Sequence, residues 1–89
     1  MAYSKLSVEA ALARHPHANV LTLAFEAVVD HTARNGCDFV PGAASIAVSA
    51  LGLEPDRRAI SLSDDELTRL SDKLEDLELN CPHKTPKET

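Results

Sequence analysis

Apolar residues recur at spacings of three and four along most of this chain, a rhythm that predicts helices and no sheet. Four stretches carry it, near residues 5 to 15, 20 to 35, 41 to 51 and 64 to 78. Their ends are marked by residues with the right local chemistry. Ser7 can cap the first helix, with Val8, Ala11 and Leu12 on one side, and Pro16 must end it because a proline ring disfavours helix at the residue before it. His15-Pro16-His17-Ala18 is then a linker. Asn19 can cap the second helix, which stops at Asn35-Gly36, where a left-handed residue is available. At 100° per residue, Val20, Leu21, Ala24, Phe25, Ala27, Val28 and Val29 spread over about half of its circumference, leaving Thr22, Glu26, Asp30 and Arg34 for water. So wide an apolar arc predicts the central helix.

Residues 37 to 40 form an apolar connector, expected to place Phe39 in the core. Pro41 suits the first turn of the third helix, where its missing N–H would have had no partner. In that helix Ala43, Ala47 and Ala50 predict a small-residue face for close packing, and Gly52 followed by Leu53 predicts a Schellman stop. A polar bend at residues 54 to 58 leads through Ala59-Ile60-Ser61-Leu62 to the fourth helix. There Ser63 and Glu66 make an S-x-x-E capping box, and Asp64 and Asp65 occupy the first turn, where the helix dipole favours anions. Leu67, Leu70, Leu74 and Leu77 fall within an arc of about 80°. Arg69 and Lys73 flank that stripe on one side, Asp64, Glu75 and Glu78 on the other, and Asp65, Asp72 and Asp76 lie behind. The stripe lasts only two heptads, too short for a free-standing zipper, so it is expected to pack on the second and third helices of its own chain. A homodimer through the same leucines is the alternative.

Composition fits this picture. At 89 residues the chain is one domain, expected over residues 1 to 80 with a flexible tail from 81 to 89. Tyr3, Phe25 and Phe39 are its only aromatic residues, so the core must come from Leu, Val, Ile and Ala, which points to an all-α bundle of about four short helices. The formal charge is −5. Residues 63 to 80 hold seven acids and two bases, while the remainder holds seven of each, so one helix carries the whole imbalance.

That imbalance argues against a binder of phosphate backbones, which needs clustered Lys and Arg. A helix-turn-helix is excluded on the same ground, because the third helix has no Arg, Lys, Asn or Gln to reach base edges. The glycines are isolated and form no phosphate loop. His15-Pro16-His17 and Cys81-Pro82-His83 lack the ligand spacing of structural zinc, His31 is expected to be a partly buried histidine bonded to a backbone carbonyl, and Cys37 an inert buried thiol. Neither metal nor cofactor is expected, and no orienting group or oxyanion site accompanies a Cys-His pair. Two cysteines are too few for a disulfide framework, no signal peptide is marked, and the longest apolar tract is too short to span a membrane. These features predict a cytoplasmic protein with free thiols, monomeric rather than dimeric.

The acids of the fourth helix have a plain role as a solubilising face. Their functional reading is a docking surface made of Asp64, Asp65, Asp72, Glu75, Asp76 and Glu78. It would bind and regulate or inhibit a basic protein partner, such as a nucleic-acid-binding complex whose groove it fills in place of phosphates, in the manner of small acidic phage or mobile-element inhibitors. The chain would then be no enzyme. A structural subunit self-associating through the leucine stripe is the alternative, and a small metal-binding module a weaker one.

Overall fold

Helices α1, α2 and α4 begin at a residue whose side chain accepts one of the otherwise unpaired N–H groups of the first turn. The computed structural model describes residues 6–37 and 42–77. Ser7 Oγ accepts the Ala10 N–H at 3.1 Å and opens α1 (Val8–Arg14). Asn19 Oδ1 accepts the Thr22 N–H at 2.8 Å and opens α2 (Val20–Asn35). Helix α3 (Ala43–Ala50) ends in the expected Schellman pattern. Gly52 takes φ 71°, its N–H donates to Ser49 O, and the Leu53 N–H donates to Val48 O, both at 3.1 Å. Past a single 3-10 turn (Ala59–Ser61), the reciprocal Ser63–Glu66 box opens α4 (Asp64–Asp76).

The predicted all-α bundle is therefore what forms, and among the described residues only an isolated Asn19–Arg58 bridge has β character. Boundaries shift by a turn or less. The first helix starts at Val8 because Ser7 is its cap, and the third starts at Ala43. The connector with Phe39, the Pro41 start and the tail from 81 to 89 lie outside the described residues.

Helix α2 touches all three others, as its wide arc implied, but the arc is rotated. Leu23, absent from the predicted inner face, is fully buried, whereas Leu21 and Phe25 are 38% and 39% exposed. The reason is α1. Pairs Arg14–Asp30 and His15–Glu26 place α1 against the flank of α2 that holds Leu23, which turns Leu21 and Phe25 outward. In α3 the small buried face is Ala43, Ala44 and Ala47, while Ala50 is exposed. The core joins these to Val8, Ala11, Val20, Ala24, Ala27, Val28, Leu67, Leu70 and Leu74.

The 54–58 bend is sewn to the start of α2. Val20 N–H donates to Arg57 O at 2.8 Å, Leu21 N–H to Pro55 O at 3.2 Å, and Ala59 N–H to Ala18 O at 3.0 Å. Two N–H groups that α2 cannot satisfy internally are thus satisfied by the bend. At the other end of α2 the expectation of free thiols is overturned: Cys37 is disulfide-bonded, and the chain's one other cysteine is Cys81. The last turns of α2 and α4 run side by side, bringing His31 within 3.9 Å of Glu75.

Candidate functional site on helix α4

The leucine side of α4 is spent on its own core. Leu70 and Leu74 are fully buried, Leu67 is 5% exposed, and Leu77 packs partly buried against them. Among the described residues the stripe thus faces the core of its own chain.

Two polar residues also face inward. Ser71 Oγ accepts the Val8 N–H at 3.0 Å and donates to Leu67 O at 3.0 Å. One turn on, Glu75 Oε2 accepts the Leu6 N–H at 2.6 Å and lies 3.9 Å from His31 Nε2, its side chain only 15% exposed. Ser71 and Glu75, spaced i to i+4, clamp the segment that leads into α1 onto α4. Glu75 thus parts company with the other acids assigned to the docking face, because its carboxylate is engaged within the fold. The predicted wheel placed it on a flank of the stripe, and packing of the N-terminal segment covers that flank.

His31 also departs from expectation, being fully buried. Asn35 Nδ2 lies 3.2 Å from His31 Nδ1 and also donates to His31 O at 3.1 Å. The Nε2 side of the ring faces Glu75. A legible signal existed for this pair: His31 and Asn35 are four residues apart, on the side of α2 that also holds Ala24, Ala27 and Val28.

The start of α4 uses a further acid. Arg57 Nη1 and Nη2 donate to Glu66 Oε2 and Oε1 at 3.2 and 3.3 Å, and the same guanidinium donates to Ser61 Oγ and Ser61 O. Glu66 is therefore held by both its own helix cap and the bend, and its carboxyl lies below the ordinary range, first through the hydrogen bond from the Ser63 backbone and then through Arg57. Asp65 pairs with Arg69 at 3.0 Å, both well exposed, as their i to i+4 spacing predicts. No ion pair joins Lys73 to Asp76 among the described residues. Asp64, Asp72 and Asp76 are exposed and enter no ion pair there. Glu78 lies outside those residues.

What remains outward on α4 is a shallow surface carrying Asp72, Asp76, Arg69 and Lys73 beside Leu51. Its side chains are two acids and two bases around one apolar residue. Among the described residues no three His, Cys, Asp or Glu side chains converge as metal ligands. His15 faces Glu26 at 3.7 Å and His17 is exposed, while Cys81 and His83 lie outside the described residues. A second surface lies between α2 and α3, where Leu21 and Phe25 are exposed although helical periodicity predicts them on the inner arc. A scan of family models and searches of curated proteins and of solved structures return no match to this chain.

Proposed function

We propose that this chain is a non-enzymatic interaction protein that docks the outward acids of α4 on a basic protein surface and thereby regulates or inhibits that partner. A nucleic-acid-binding protein is the favoured class, because its phosphate-binding groove already presents the cations such a face requires. One observation carries the reading: the fold consumes Glu66 and Glu75 but makes no use of Asp64, Asp72 and Asp76, which stand exposed on α4. Asp65 belongs to the same surface, half-neutralised by Arg69. No helix among the described residues is long and apolar enough to cross a membrane. The cytoplasmic reading rests on the small number of cysteines and the lack of a marked signal peptide; the bond at Cys37 weighs against it, since disulfides persist mainly in oxidising compartments.

The test is a pull-down from lysate at low and high salt, with the chain and with its Asp64→Lys/Asp72→Lys/Asp76→Lys variant. Exposed charges are screened within about 8 to 10 Å at physiological salt. The expected result is a partner captured at low salt, released at high salt, and bound at least about tenfold more weakly by the variant. Capture that survives the triple reversal sinks the docking face. Glu66 and Glu75 stay unmutated, because reversing them would test folding instead.

A further inference from the structure

Where the segment entering α1 crosses α4, the two leave between them a cleft of about 250 Å³ that opens to solvent. Leu6, Ser7 and Glu9 form one side, and Leu67, Thr68 and Asp72 belong to the other. Leu6 and Leu67 are buried at 2% and 5% exposure, so the floor is apolar. Glu9 and Asp72 are exposed at the rim. No Lys, Arg or His lines the cleft, and neither carboxylate enters an ion pair among the described residues. Two like charges from separate helices thus share one cleft with no cation between them.

We propose that this cleft receives an arginine side chain of the basic partner, an inference that rests on the docking of α4 and names the group it recognises. The arginine stem lies over Leu6 and Leu67, and its guanidinium meets Glu9 and Asp72, with the hydroxyls of Ser7 and Thr68 as further acceptors. Charge selects a cation, because two carboxylates without a base complement one. Size selects a side chain, since the cleft falls below the roughly 300 to 1,000 Å³ of sites that enclose drug-sized ligands. An apolar floor under a charged rim fits the long basic residues, which lay their stems on apolar surface and keep their heads in the wet. Between these, arginine suits acceptors spread over two elements, because its planar fork offers five donors where an ammonium is a compact, strongly hydrated point charge. A metal ion finds too few ligands, as no three His, Cys, Asp or Glu side chains converge among the described residues. Asp72 also borders the shallow surface beside Leu51, so the cleft joins the docking face and adds Glu9 of α1 to it.

Titration of the full chain with N-acetyl-arginine amide, followed by amide NMR at constant ionic strength, tests the proposal. Shifts should saturate, weakly, at Leu6, Ser7, Glu9, Thr68 and Asp72, and the uncharged N-acetyl-norleucine amide should leave those signals in place. Glu9→Gln/Asp72→Asn should raise the dissociation constant at least about threefold, the scale of losing exposed charge pairs. Thr68→Arg, which supplies a guanidinium four residues before Asp72, should block the cleft, and it decides if the double variant loses helicity by circular dichroism. N-acetyl-lysine amide should bind at least about threefold more weakly than the arginine compound; equal binding overturns the assignment of arginine. Shifts that are absent, or spread evenly to Asp64 and Asp76, overturn the cleft itself. In the lysate pull-down, a partner lost with the Asp64/Asp72/Asp76 reversal but held undiminished by Glu9→Gln and Thr68→Arg leaves docking in place and removes the cleft from it. A partner indifferent to the triple reversal, with arginine still seated in the cleft, sinks the docking face alone.

Discussion

At Glu66 one carboxylate ties together three parts of the chain. It accepts the Ser63 N–H at 2.9 Å, completing the cap of α4, and receives the fork of Arg57 from the bend. Because its folded-state carboxyl lies below the ordinary value of 4.5, the folded chain holds this proton less tightly than the unfolded chain. The stabilisation is complete above the unfolded value and disappears as pH falls through the lowered folded one. Glu66→Gln should therefore flatten the acid limb of a stability-against-pH curve below about 4.5, measured by urea unfolding; an unchanged limb contradicts the arrangement. Ser63→Ala, removing the reciprocal cap, should cost about 1 kcal/mol at neutral pH in the same experiment. The Ser63–Glu66 box was legible because both partners lie within one helical turn. Arg57 was not, since its reach depends on the bend being bonded to the start of α2.

Among the elements, α4 shows how a single periodicity serves two purposes. Its leucines, spaced 3-4-3, face the core, and the positions between them divide into inward clamps and outward charge. Leu70→Ala and Leu74→Ala, both at fully buried positions, should each cost about 2 to 5 kcal/mol in chemical denaturation, because the lost transfer energy is joined by an unfilled cavity. Leu77→Ala, at the partly buried edge, should cost clearly less. Equal losses at all three would mean that the stripe is not graded in burial as described. Helix α2 teaches the complementary lesson. Its apolar arc covers more than a core can take, and neighbours decide which part goes inside. With α1 against the Leu23 flank, Leu21 and Phe25 become surface.

For the whole molecule, size sets the margin. A domain this small buries a modest share of its surface, so each cross-link weighs heavily. The disulfide at Cys37, whose one candidate partner in the sequence is Cys81, closes a loop of roughly 45 residues and should stabilise the chain by about 4 kcal/mol through restriction of the unfolded state. Cys37→Ser, or reduction, should lower the melting temperature accordingly. Mass spectrometry after alkylation should find no free thiol in the untreated protein. Alkylation of both cysteines without reduction would show that no cross-link is present.

What the sequence determined by itself is local. Caps at Ser7, Asn19 and Ser63, the stops at Gly36 and Gly52, the leucine stripe and the placing of the excess charge on one helix all rest on residues within a turn or two of each other, where backbone geometry fixes the outcome. Only the tertiary structure decided which way α2 faces, that His31 and Glu75 approach each other inside the bundle, that Arg57 grips Glu66, and that the acidic sector is smaller than its residue count suggests. Those are contacts between segments far apart in the chain. Glu75 and Ser71, for instance, turn inward because the N–H groups of Leu6 and Val8 must find acceptors once water is excluded, and helical periodicity does not say which neighbour will supply them.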